Sequence, residues 1–95
     1  MISSTYQFQQ FADAVTGKDH LEIIYIAEQE AIETWRLSHP SNGLDPSELD
    51  RSKAYQQKLL GLITVLRNGV RPGGFSSKDY VIFEEIIENS RTHAA

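Results

Sequence analysis

The segment that decides the fold runs from Asp19 to Ser38, DHLEIIYIAEQEAIETWRLS. Its first half, Ile23-Ile24-Tyr25-Ile26, is good strand material, rich in β-branched and aromatic side chains. Its second half, Ala27-Glu28-Gln29-Glu30-Ala31-Ile32-Glu33, consists of helix formers with no breaker. Asp19 and Glu22 have the spacing of a capping box, and Pro40 disfavours helical geometry at His39. The segment therefore predicts one continuous helix over residues 20–38. At 100° per residue, Ile23, Ile24, Ala27, Ala31 and Trp35 share one apolar face. Tyr25 and Ile32 widen that face on one side, and Ile26 and Leu37 lie on the other flank with Glu30 among them. Only Glu22, Gln29, Glu33 and Arg36 form a purely polar strip. A helix this apolar is central to its fold or covered by a second subunit.

On the N-terminal side, Phe8, Phe11, Ala12 and Val15 recur at i, i+3, i+4 and i+7 and predict a helix over residues 5–16. Ser4 and Gln7 supply its capping-box spacing, and Gly17 its left-handed stop. On the C-terminal side, Ser41-Asn42-Gly43 reads as a turn. Asp45-Pro46-Ser47-Glu48 then opens a helix over residues 46–67, with a capping Asp, proline at the first helical position and an acid in the first turn. Tyr55, Leu59, Leu62, Ile63 and Leu66 share its apolar face, and Asn68-Gly69 ends it. Gly61 lies on the polar side, where we read it as a tolerated surface glycine in preference to a close contact. Ser76 or Ser77 caps a last helix over 77–89 that turns Tyr80, Ile82, Phe83, Ile86 and Ile87 inward. Phe75 is placed to act as a hydrophobic staple on its first turn. Residues 90–95 have no apolar anchor and are expected to fray. The pattern is an all-α, four-helix bundle-like single domain over residues 1–95, antiparallel with some irregular crossings.

Composition narrows the function. The chain has 95 residues and no cysteine, which excludes disulfides and thiolate metal sites. Its apolar runs fall far below the ~20 residues of a membrane span, and the N-terminus has no signal-peptide pattern, so a cytoplasmic location is expected. Charge is segregated along the chain: residues 1–35 carry −5, residues 36–78 carry +4 and residues 79–95 carry −3, within a net charge of −4. Complementary charge between neighbouring helices accounts for this. Nucleic-acid binding is disfavoured, because Arg51 and Lys58 project on one side of the third helix and Lys53 and Arg67 on nearly the opposite one. The N-terminus of that helix also carries Asp45, Glu48 and Asp50, which repel phosphate.

No metal, cofactor or catalytic constellation emerges. His20, His39 and His93 lie at a helix start, a helix end and the tail, without the spacing of a helical zinc motif. Glu28 projects into the arc between Leu21, Ile24, Ile32 and Trp35. Burial there would raise its pKa and suit it to general-acid work, although pairing with an arginine across a helix interface is the commoner fate. Gly73-Gly74-Phe75-Ser76-Ser77-Lys78 leads into a helix start, where Arg71, Ser76, Ser77 and Lys78 form a weak candidate anion site. The phosphate-loop spacing is absent, and a plain helix-to-helix turn is the preferred reading. The sequence thus points to a small non-catalytic interaction or regulatory protein that binds another protein and pairs with itself as a homodimer. Tyr25, Ile26, Ile32 and Leu37 are the expected interface. A nucleic-acid-binding regulator and a ligand-binding or enzymatic bundle built on Glu28 are the alternatives.

Overall fold

The computed structural model describes residues 3–39 and 43–92. Its four helices are α1 (Ser4–Ala14), α2 (His20–Ser38), α3 (Pro46–Asn68) and α4 (Ser77–Thr92). The all-α, four-helix architecture matches the sequence pattern, and α2 is continuous through its β-branched half. Asp19 caps it by accepting the Glu22 backbone N–H at 2.9 Å, and His39 leaves it in extended geometry. Pro40, Ser41, Asn42 and His93 lie outside the described residues.

Three boundaries differ from the pattern. Ser3, not Ser4, caps α1: its Oγ accepts the Tyr6 N–H at 3.1 Å, and Ser4 becomes the first helical residue. That frees the Ser4 hydroxyl for a tertiary bond. At the other end α1 stops at Ala14, and the chain turns through Gly17 at φ +89°. Finally, α4 does not fray at Ser90 but continues to Thr92. Ser90 is buried, and its Oγ donates to the Ile87 carbonyl at 2.7 Å.

The most extensive pairing joins α2 to α3. They run antiparallel, tied by Gln56 Nε2 donating to the Ala31 carbonyl at 3.4 Å and by Arg67 to Glu28. Ala27 and Ala31 line the contact and allow the two helices to approach closely. By contrast, α1 and α4 run side by side in the same sense. Thr5 meets Asp79, Phe8 meets Phe83 and Gln9 meets Glu85, so the contacts advance together along both helices. The bundle therefore does not alternate direction throughout, which corrects the antiparallel expectation.

The reason is the loop between α3 and α4. Gly69 ends α3 in the left-handed region at φ 68°, which costs glycine nothing. The chain then doubles back along α3, and Phe75 comes to rest on Gly61, about two turns before the helix ends. A Cβ on Gly61 would sit 3.0 Å from the Phe75 ring and 3.3 Å from Phe83. Gly61 is thus buried, and the surface-glycine reading is overturned by a close approach of rings. Phe75 also packs edge-on to Tyr80 and Phe83, with centroids 6.1 and 5.2 Å apart. It staples α4 as expected, and it locks the loop to α3 as well.

Phe8, Ile23, Leu59, Leu62 and Ile86 are essentially inaccessible and form the centre of the core. Each such side chain contributes about 1.5–3 kcal/mol relative to exposure. Beside them lies a charged pair that the hydropathy pattern conceals. Lys58 Nζ and Asp79 Oδ2 are 3.3 Å apart, with side chains only 9% and 4% exposed. Lys58 also donates to Ser4 Oγ at 2.9 Å, and Asp79 Oδ1 accepts the Thr5 hydroxyl at 2.9 Å. The Asp79 backbone N–H donates to Ser76 Oγ at 3.2 Å. Three helices, α1, α3 and α4, meet on this network.

Candidate functional site

Among the described residues, one side of α2 carries a row of large side chains that the fold leaves uncovered. Leu21, Tyr25, Ile32 and Trp35 are 68%, 64%, 54% and 50% exposed, although all four are large and apolar. With Glu28 they occur at steps of four, three, four and three along the chain. This spacing keeps them in a straight stripe about 21 Å long on a helix rising 1.5 Å per residue. Leu60 of α3 is also exposed and borders the stripe. A shallow groove of about 370 Å³ runs between them, lined by Ala31, Ile32, Trp35, Leu60 and Ile63.

Trp35 was expected inward with Ile24 and Ala31, and that expectation fails. Ile24, Ala27 and Ala31 are buried on α2, whereas Trp35 is half exposed at the rim of the groove it shares with Leu60 and Ile63 of α3. Its ring instead stacks on His39, with centroids 4.9 Å apart and planes 18° apart. The candidate interface residues divide between two flanks. Tyr25 and Ile32 belong to the exposed stripe. Ile26 is half-buried, and Leu37 is exposed on the opposite flank, where both border a groove shared with Phe11, Glu30 and Tyr55. There the Tyr55 hydroxyl donates to Glu30 Oε2 at 3.3 Å. Burial, and then the negative charge of Glu30, push the Tyr55 phenol well above its ordinary range.

Glu28 sits in the middle of the stripe. Its Oε2 accepts from Arg67 Nη2 at 2.9 Å, and both side chains are partly exposed. This is the interhelical arginine pair. Glu28 borders the groove between α2 and α3, paired with arginine and partly exposed.

The anion-site residues are not assembled into one cradle. The Arg71 guanidinium lies 4.0 Å from the centroid of the Tyr80 ring, a cation–π contact. Ser76 is spent on capping α4 through the Asp79 N–H. Arg71 borders a groove of about 390 Å³ with His20, Leu66, Tyr80 and Ile87. Lys78 borders a different one with Tyr6, Val81 and Ile82, and Ser77 is exposed at the start of α4. Of the cations of the basic segment, Lys58 is internal, Arg67 is on Glu28 and Arg71 is on Tyr80. Among the described residues, no three His, Asp or Glu side chains cluster as metal ligands. None of the described helices is long and apolar enough to cross a membrane.

Reading the helices separately missed Leu21, Trp35 and Leu60 as surface residues. The signal for Leu21 and Trp35 was present in the 4-3-4-3 spacing, which passes through Tyr25 and Ile32. Leu60 carried none, because only the position of α2 decides which edge of α3 remains open. No family model, curated protein or solved structure matches this chain.

Proposed function

We propose that this protein is a small helical interaction module that works by protein–protein binding, with the exposed stripe of α2 as its contact surface and a second copy as its first partner. One observation carries the reading: four large apolar side chains in register along one helix face are left uncovered while the core beneath is closed. Scattered apolar residues on a surface are ordinary, but a continuous stripe signals an interaction site. Two-fold dimers are the commonest assembly, and they bury the same patch on both subunits.

Light scattering at micromolar concentration tests this. A dimer of about twice the 10.7 kDa chain mass is expected. Ile32→Asp should convert it to a monomer with unchanged helical circular dichroism, because Ile32 lies outside the core cluster. A wild-type protein that remains at 10.7 kDa overturns the proposal.

A further inference from the structure

Resting on the reading of α2 as the self-association surface, we infer that the two copies pack α2 against α2 in antiparallel sense, with the two-fold axis beside Glu28. The order of the stripe supports this directly. Glu28 is seven residues from Leu21 and seven from Trp35, and it stands three residues from Tyr25 and four from Ile32. An axis perpendicular to the helix at Glu28 therefore lays Leu21 of one copy on Trp35 of the other, and Tyr25 on Ile32. Each contact sets a larger side chain against a smaller one, as close packing requires. A parallel pairing also matches apolar with apolar, but it sets Trp35 on Trp35 and Tyr25 on Tyr25.

Charge decides between the two senses. The edge of the stripe beyond Tyr25 carries Glu22 in the first turn of α2 and Arg36 in the last. Both project from the same edge at 100° per residue. In the antiparallel dimer, Arg36 of each copy comes beside Glu22 of the other, giving two rim pairs related by the axis. In the parallel dimer the two-fold axis runs along the helices and sets the two Glu22–Arg36 edges on opposite sides of the contact, so neither rim pair forms, and the two helix dipoles align. The Arg36 side chain is 68% exposed and already lies 3.1 Å from Glu33, so it stands where it can serve both acids. At the axis two Glu28 carboxylates approach one another. Each brings its own Arg67 at 2.9 Å, so the cluster carries no net charge.

The absence of cysteine from the chain makes the geometry directly readable. We consider three single variants, Glu28→Cys, Leu21→Cys and Trp35→Cys, each first checked by light scattering under reducing conditions and then placed in a glutathione redox buffer. A disulfide needs Cα atoms within about 7 Å, so Glu28→Cys should link to itself at least about tenfold faster than either of the others alone. Leu21→Cys and Trp35→Cys should link rapidly only when the two proteins are mixed. Self-linking of Leu21→Cys and of Trp35→Cys, each alone, would establish a parallel dimer and overturn the inference while leaving α2 as the interface. A dimer in which none of the three variants links also overturns it. A monomeric wild-type protein removes both the geometry and the reading beneath it.

Discussion

The protein places a charged pair inside and a row of large apolar side chains outside. Between α1, α3 and α4, Lys58 and Asp79 lie within the core layer, each side chain held by a hydroxyl from α1. Along α2, Leu21, Tyr25, Ile32 and Trp35 face outward. The difference teaches that the available partner, rather than residue type, sets location. Desolvating two ions costs several kcal/mol each, offset only by good geometry and additional hydrogen bonds. The network therefore contributes the relative placement of three helices more than net stability. The stripe is the converse case, forgoing roughly half of the about 1.5–3 kcal/mol that full burial of each large side chain contributes, a gain that burial by a second copy would recover.

The sharpest way to break this contrast is to remove one partner of the internal pair. Asp79→Ala should lower stability by about 3–5 kcal/mol in denaturant unfolding, because it leaves Lys58 buried and unpaired. The double variant Lys58→Met with Asp79→Asn should recover most of that loss, since no uncompensated charge remains. A small effect of Asp79→Ala would mean that Lys58 reaches water easily and that the pair is not internal in solution. These measurements belong at one fixed protein concentration, because the apparent stability of a dimer follows concentration.

Overpacking the other unforeseen contact should cost less. Gly61→Val introduces a branched side chain where even a Cβ meets Phe75 at 3.0 Å. A loss of about 1–3 kcal/mol is expected, partly reversed by adding Phe75→Leu. An unchanged melting temperature would show that the loop swings away from α3 without penalty.

Tyr55→Phe keeps the ring in the core and removes the hydrogen bond to Glu30, with an expected cost of about 1 kcal/mol at neutral pH. Its pH dependence has a definite sign. The folded protein holds the phenolic proton more tightly than the unfolded chain, whose tyrosine titrates near the ordinary value of about 10. The contribution of Tyr55 is thus complete below pH ~10 and is lost as the pH rises towards its higher folded value. The stability of wild type should therefore fall more steeply than that of Tyr55→Phe above pH ~10. Parallel curves for the two proteins would contradict the raised pKa.

The smallest change is expected at Asp45, the exposed cap of α3. The Glu48 backbone N–H, donating to Asp45 Oδ1 at 2.8 Å, holds its carboxyl below the usual carboxylate range. Its contribution is present above the unfolded value of 3.8 and declines as the pH falls through the lower folded value. Asp45→Asn, which can still cap, should flatten that acid limb without abolishing α3; an identical acid limb would mean the carboxylate plays no part.

Local chemistry made the four helices legible. Asp45-Pro46 and Asn68-Gly69 mark the ends of α3 through backbone preferences that act within a few residues, and they hold in the folded protein. The apolar faces of α1, α3 and α4 were equally readable, because one side chain every three or four residues must find cover. Even the ion pair left a trace. Lys58 is three residues from Tyr55 and four from Leu62, while Asp79 precedes Ile82, Phe83 and Ile86 by three, four and seven. Two opposite charges at inward positions of different helices are a pairing signal, although nothing local says which helices will meet.

Half of the candidate surface was legible in the same way: Tyr25 and Ile32 widen α2 beyond what one contact can cover. Trp35 was misplaced, because its angle on the helix is compatible with either side and only the line followed by α3 decides. The caps of α2 and α3, the presence of four helices and the excess of apolar surface on α2 belong to the chain itself, through interactions within a turn or two. The approach of Phe75 to Gly61, the parallel course of α1 and α4 and the side of α2 left open arise only on packing. They depend on groups distant in the chain, and their positions are set together when the core closes.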